Sequence, residues 1–244
     1  MIYPEWNNNL NLSIRRLIGR AAGNFKMLSD GDNVLIGLSG GKDSLILLHA
    51  LNELSRYSPV KFKIAALTVK ISGMDLSLLR EYCEFKNIKY YETESDIMQI
   101  IKIRNEKSPC SLCANIRRGI LSTFASENNF NKLALGHTID DAAETFLLNI
   151  FHAGRAKSFK PVSYMSRTKI YVIRPLIYTS ENAIIDEVAR LNLPVLKTPC
   201  PYAGHTKRQE IRELIYNLKM KIPDLNAKII NSLENLNVAD CWSK

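Results

Sequence analysis

Residues 39–44 read Ser-Gly-Gly-Lys-Asp-Ser and follow the apolar run "NVLIGL". Ser39, Gly40 and Gly41 let backbone N–H groups point into one concavity, and a following helix would add its N-terminal dipole. Such a turn binds phosphate. It is not a Walker A loop, because Lys42 is followed by Asp43 and no glycine stands at the required earlier position. Lys42 adds a positive charge and Ser44 a hydroxyl. Asp43 would repel phosphates unless a cation intervened, so the residue types point to Mg²⁺ between Asp43 and phosphate oxygens.

A second group is made of sulfur. The five cysteines are Cys83, Cys110, Cys113, Cys200 and Cys241, and an odd count argues against a disulfide framework. Cys110 and Cys113 form a CxxC in "SPCSLCANIRRG", and Cys200 stands in "TPCPYAGHTKR". Three thiolates at one end of a sheet suit a [4Fe–4S] cluster with its fourth iron open. They equally suit zinc with His205 or His137 as fourth ligand, and spacing alone also leaves room for no metal. Cys83 reads as a core residue of a helix and Cys241 as part of the tail.

A third group is "GHTIDD", with Gly136, His137, Asp140 and Asp141. Two acids at a helix start are favoured by the dipole alone. One of them would also be placed to face a nucleotide. His137 is a candidate for proton transfer, whereas His152 and His205 carry less functional weight.

These groups need elements to position them. "NVLIGLS", "FKIAALTVKI", "KYYETES", "KLALGHT" and "KIYVIRPLIY" predict strands. Residues 12–28, "SLILLHALNEL", "MDLSLLREYCEFKN", "CANIRRGILSTFASEN", "IDDAAETFLLNIFHAGR" and "SENAIIDEVARLN" predict helices. The Cys pair falls in a loop on this reading, and "LPVLKT" makes a further strand end before Cys200. The tail predicts two helices broken near Pro223. The alternation implies an α/β fold, a doubly wound parallel sheet with ligands beyond the C-terminal strand ends.

The chain has 244 residues and a net charge of +9. Basic clusters at "SIRRLIGR", "IKIRNEK", "NIRRG" and "HTKRQEIR" suit solvated helix faces or a surface for nucleic-acid phosphates. No apolar run reaches the roughly 18 residues of a membrane helix. The first residues lack the layout of a secretory signal, so no membrane and a cytoplasmic location are expected.

Taken together, SGGKDS, PCSLCANIRRGIL, ALGHTIDDAAETFLLNIFHAGR and CPYAGHTKR resemble the TtcA/TtuA family of tRNA 2-thiolation enzymes, within the PP-loop ATP pyrophosphatase superfamily. The resemblance implies a PP-loop domain over 31–205, an N-terminal helical segment over 1–30 and a C-terminal helical tail over 206–244. It implies ATP, Mg²⁺ and a [4Fe–4S] cluster held by Cys110, Cys113 and Cys200. ATP would be bound by Ser39, Gly40, Gly41, Lys42, Asp43, Ser44, Val69, Gly136 and Asp141, with Asp43 holding Mg²⁺. Asp141, Arg117 and Asp43 would be the catalytic residues.

The implied reaction adenylates the C2 carbonyl of a tRNA base and replaces its oxygen with sulfur. The partners are tRNA and a sulfur donor, either sulfide or a persulfide carrier, and the oligomeric state, a homodimer included, stays open. Arg117 matches the TtcA branch, which makes 2-thiocytidine at position 32, whereas Cys200-Pro-Tyr-Ala203 is closer to TtuA. The alternatives are 2-thiouridine at position 54, or a PP-loop amidating enzyme with a structural zinc.

Overall fold

In β1 (Asn33–Gly37), Val34 and Ile36 face one apolar layer and Leu35 the other, and all three are buried. A strand with a two-residue period and two buried faces belongs inside a helix-covered sheet. The computed structural model describes residues 3–71, 73–104, 109–196 and 207–236. There β1 pairs in parallel with β2 (Lys63–Lys70) on one side and with β4 (Lys132–Ala134) on the other. Next to β2 lies β3 (Lys89–Glu94), and next to β4 lies β6 (Ile170–Ile173), both parallel. At the far edge β5 (Val162–Met165) runs antiparallel to β6. The order β3-β2-β1-β4-β6-β5 reverses direction between β1 and β4. That reversal opens a crevice at their C-terminal ends, the place where doubly wound sheets bind ligands.

One face of the sheet carries α1 (Leu12–Asn24), α2 (Lys42–Tyr57), α3 (Ser77–Phe85), α6 (Ile139–Ala153) and α7 (Glu181–Arg190). The other carries α4 (Ile97–Arg104) and α5 (Pro109–Glu127), through Ile97, Ile101, Leu121 and Ala125. The tail forms α8 (Lys207–Lys219) and α9 (Leu225–Glu234), which pack on α6 through Ile211, Ile215 and Ile229 against Ala143. Among the described residues no helix is long and apolar enough to cross a membrane.

The α/β class and mostly parallel sheet agree with the sequence pattern, and four details differ. Cys110 and Cys113 lie inside α5, not in a loop before it. Pro109 is the first helical residue, a position where its missing N–H costs nothing. The described part of "LPVLKT" is coil, since Leu196 gives its N–H to the Gly40 carbonyl (2.9 Å) instead of a strand ladder. Strand β5 and helix α4 were not expected. β5 is a four-residue edge strand directly after Pro161, too short and too exposed to show a clear alternation.

The N-terminal segment is held by polar groups that α2 buries. Trp6 is 1% exposed and gives its Nε1–H to the Asn192 carbonyl (2.8 Å). Leu10 N–H donates to Glu53 Oε2 (2.8 Å). His49 lies between the Tyr82 hydroxyl (2.8 Å at Nδ1) and the Asn8 carbonyl (3.1 Å at Nε2). A neutral ring satisfies both by accepting from Tyr82 and donating to Asn8. Burial, helped by the Lys86 charge, lowers the His49 pKa from 6.5 to about 4. Below pH 6.5 the unfolded chain therefore takes up a proton that the folded chain refuses until about pH 4. Stability should fall as pH drops through that window, by about 3 kcal/mol from this residue when the window has been crossed. Urea unfolding at pH 7 and pH 4.5 checks this, and the pH dependence should shrink in His49→Gln.

Candidate active site

The turn after β1 delivers the phosphate-binding sequence to the crevice. Gly40 has φ +80°, a conformation that side chains resist, and a Cβ there would also meet Leu196 Cδ1 at 2.9 Å. Ser44 Oγ accepts from the Ser39 N–H (3.1 Å) and donates to the Gly41 carbonyl (2.8 Å), which closes the turn onto the first turn of α2. The turn after β4 arrives beside it. A Cβ on Gly136 would lie 3.0 Å from the backbone carbon and oxygen of Asp43 and 3.2 Å from the Ser44 nitrogen. Gly136 is thus required by the contact between two chain segments, whatever ligand it also meets.

A cavity of about 280 Å³ opens at this junction. One wall is Ser39, Asp43 and Ser44, and an apolar wall is Leu67, Val69 and Met74. Val69 belongs to the body of β2 and is 8% exposed. The opposite wall brings Arg117 and Arg118 from α5, with Gly136 and His137. Three polar atoms of these residues are buried without a hydrogen-bond partner among the described residues: Asp43 Oδ1, Arg117 Nε and His137 Nδ1. Buried polar atoms normally find partners, so their grouping around one cavity marks a place for a polar ligand.

Gly40, Gly41, Lys42 and Asp141 stand behind this wall. Lys42 Nζ donates to Glu181 Oε1 (2.7 Å) and Asp43 Oδ2 (3.2 Å). Burial lowers the Lys42 pKa, but the Glu181 hydrogen bond and the two carboxylate charges more than offset this and leave it raised. Burial raises the Asp43 pKa, and the opposing pull of Lys42 is too small to reverse it. Asp141 forms a capping box with Thr138, accepting the Thr138 N–H (2.9 Å), and its Oδ1 accepts from Arg208 (2.7 Å). Asp140 does structural work: it takes the Glu181 N–H (2.7 Å), Lys219 Nζ (2.9 Å) and Asn226 Nδ2 (2.7 Å). His137 is pushed down to about 3 by burial and then by Arg174, Arg208 and Arg118. At neutral pH it is an uncharged ring, not a proton-donating imidazolium.

Cys110 and Cys113 are three residues apart on α5, on one side of the helix and one turn before Arg117. Cys110 is exposed, and Cys113 packs partly against the second apolar layer. Cys200, His205 and Cys241 lie outside the described residues. The residues that bracket the Cys200 stretch are both tied to the site, Leu196 to Gly40 and Arg208 to Asp141. Two cysteines one helical turn apart on α5 suit an iron–sulfur cluster, and the buried Asp43 Oδ1 suits Mg²⁺. Cys83 is 1% exposed, and burial pushes its thiol up to about 12, as suits a core residue.

Sequence reasoning missed Arg118, Met74, Glu181 and Arg208. Arg118 was visible only as half of the Arg-Arg pair. Glu181 and Arg208 meet their partners across long stretches of chain and leave no local signal.

The chain matches the model of a PP-loop domain over residues 10–218. A tRNA-cytidine(32) 2-sulfurtransferase from Bdellovibrio bacteriovorus is 38% identical over 233 residues, covering 93% of this chain and 89% of that protein. One from Pseudomonas fluorescens is 37% identical over 236 residues, covering 94% and 85%. Among solved structures, the U34-tRNA thiolase NcsA from Methanococcus maripaludis with its [4Fe–4S] cluster superposes with a TM-score of 0.78 at 27% identity, over 92% of this chain and 78% of that one.

Gly136→Ala should force the two turns apart, at about 1–3 kcal/mol for an overpacked contact. Thermal unfolding together with calorimetry of a non-hydrolysable ATP analogue checks this. The expected result is a lower melting temperature with weakened nucleotide binding.

Proposed function

Because the chain belongs to the PP-loop family of tRNA 2-sulfurtransferases, we propose that it converts a tRNA cytidine, at position 32, to 2-thiocytidine at the expense of ATP. The observation that carries this reading is the set of unpartnered buried atoms of Asp43, Arg117 and His137 around one cavity at the β1–β4 crevice.

The phosphates of ATP lie on the amides of residues 39–44 at the start of α2. Leu67, Val69 and Met74 offer the adenine an apolar wall. Asp43 would hold Mg²⁺, which would neutralise phosphate charge. The O2 atom of cytosine attacks the α-phosphorus, the bond to the β-phosphate oxygen breaks, and pyrophosphate leaves. Arg117 and Arg118 face the negative charge that develops there. Cys110, Cys113 and Cys200 would hold the [4Fe–4S] cluster, which would supply iron able to carry the incoming sulfur. Sulfide is the donor; a persulfide carrier would serve only with a second thiol that takes up the carrier sulfur as a disulfide. Sulfur bonds to C2, the C2–O bond breaks, and AMP leaves with the former carbonyl oxygen. Asp141, held by Thr138 and Arg208, fixes the turn that carries Gly136 and His137 to the cavity. His137 lines the cavity as a neutral hydrogen-bonding ring.

Anaerobic incubation of the iron-loaded protein with ATP, Mg²⁺, sulfide and unmodified tRNA tests this. Nucleoside mass spectrometry should find 2-thiocytidine. Appearance of 2-thiouridine alone would reject the cytidine assignment, and AMP formation without any thionucleoside would reject thiolation.

Asp43→Asn should stop AMP formation while the folded protein keeps its melting temperature to within a few degrees. Normal AMP release by that variant would remove Asp43 from the mechanism. Cys110→Ser, Cys113→Ser and Cys200→Ser should each lose iron and thiolation, whereas Cys83→Ala should keep both. Iron and acid-labile sulfide assays decide the matter.

A further inference from the structure

Between Glu144 and Glu181 the chain carries no carboxylate side chain and six cations: Arg155, Lys157, Lys160, Arg167, Lys169 and Arg174. No ion pair involves any of the six among the described residues. The cations of α8 are in the opposite condition. Arg208 and Arg212 are bound to Glu144 and Lys219 to Asp140, so much of their charge is already met within the fold.

The unpaired charge is anchored at the cavity rim. Arg174 is only 4% exposed, and its Nη1 donates to the Lys160 carbonyl (2.6 Å) and Ser163 Oγ (3.3 Å). Its guanidinium lies 5.0 Å from the centre of the Phe159 ring, and that ring is 4.9 Å from the ring of His137, which lines the cavity. Arg174 thus pins the connection between α6 and β5 against the site wall. A buried cation with no carboxylate partner leaves its field to be answered by an outside anion. Gly154, at φ +58°, ends α6 and turns the chain into this connection. Arg155, Lys157 and Lys160 are exposed along it, and Phe151, just before it, is 58% exposed. Cations beside an open aromatic ring are the means by which proteins hold single-stranded nucleic acid.

We propose that the α6–β5 connection is the surface that receives the single-stranded RNA next to the target base. Arg155, Lys157 and Lys160 take backbone phosphates, Phe151 stacks on a base, and Arg174 positions the loop. The assignment rests on the tRNA reading given above and prefers this connection to the basic cluster "HTKRQEIR" as the RNA surface.

The test measures binding of the full-length protein to an unmodified anticodon stem-loop RNA over a range of salt concentrations. Replacing Arg155, Lys157 and Lys160 together by Gln should reduce the slope of log affinity against log salt by about 2, as expected for three lost single-strand phosphate contacts. Phe151→Ala should weaken binding about tenfold with the slope unchanged. Both variants should bind an ATP analogue like the parent. An unchanged slope in the triple variant overturns the proposal, as does parallel loss of ATP-analogue binding, which would mean a purely structural loop. Equal competition by a duplex RNA of the same length overturns the single-strand assignment. If the parent protein itself neither binds nor thiolates tRNA, the tRNA reading fails and the loop assignment with it. If the parent thiolates and the triple variant binds normally, only the loop assignment fails.

Discussion

A methyl group at residue 136 would stand 3.0 Å from the backbone of Asp43, and the whole site depends on its not being there. The sheet brings β1 and β4 side by side, but adjacency of strands does not make their following turns touch. The bare glycine lets the two turns close, and the amino-terminal ends of α2 and α6 then share one crevice. Further bonds lock that contact. The Thr138–Asp141 capping box fixes the start of α6, Asp140 takes the first N–H of α7, and Glu181 on α7 reaches back to Lys42 on α2. The result is a chain of polar contacts through three helices, whose two ends meet at the close approach of Gly136 to the Asp43 backbone. Each of its members is placed by a neighbour of opposite charge or by a backbone donor.

What the sequence disclosed was local. The Gly-Gly turn, the alternating burial of β1 and the Ser180 cap of α7 are each decided within a few residues, and each is found where the pattern puts it. The spacing of Cys110 and Cys113 was legible too, but their helix was not, because the Cys-Ser-Leu-Cys stretch has little apolar periodicity of its own. Leu112 and Cys113 are drawn into the helix by packing on the second apolar layer. Contacts set by the assembled sheet were invisible. Nothing near Lys42 announces Glu181, and nothing near Asp141 announces Arg208. "LPVLKT" has the composition of a strand, yet its described part is spent on contact with Gly40.

The net charge of +9 conceals an uneven distribution. Glu144 is 3% exposed, and a buried carboxylate at that depth is tolerable only because Arg208 and Arg212 each donate to it at 2.7 Å. Those arginines look on paper like a nucleic-acid surface, but much of their charge is cancelled where they stand. Arg174 shows the reverse. It is as deeply buried, but its partners are a carbonyl, a hydroxyl and an aromatic face, none of which carries a charge. The sign of the field at the cavity rim is therefore set by which cations lack carboxylates, not by how many cations the chain holds.

Around Asp43, at and behind the cavity wall, the charge has the opposite sign. Asp43, Asp141 and Glu181 lie close enough that the latter two both raise the Asp43 pKa, and Lys42 is already engaged with Glu181 and Asp43. A bare polyphosphate approaching this wall would meet more negative charge than Lys42 can answer. A divalent cation arriving with the phosphates changes the balance. On the reading proposed above, it would give Asp43 Oδ1 a partner, remove the repulsion between carboxylate and phosphate, and let Lys42 divide its hydrogen bonds between Glu181 and the nucleotide. Glu181 need not move for this, because Asp140 holds its backbone. On that proposal the charges favour the metal–nucleotide complex over the free nucleotide, and the aspartate that directly follows the lysine in this turn has a role. The acid is unfavourable beside phosphate and favourable beside the cation that phosphate brings.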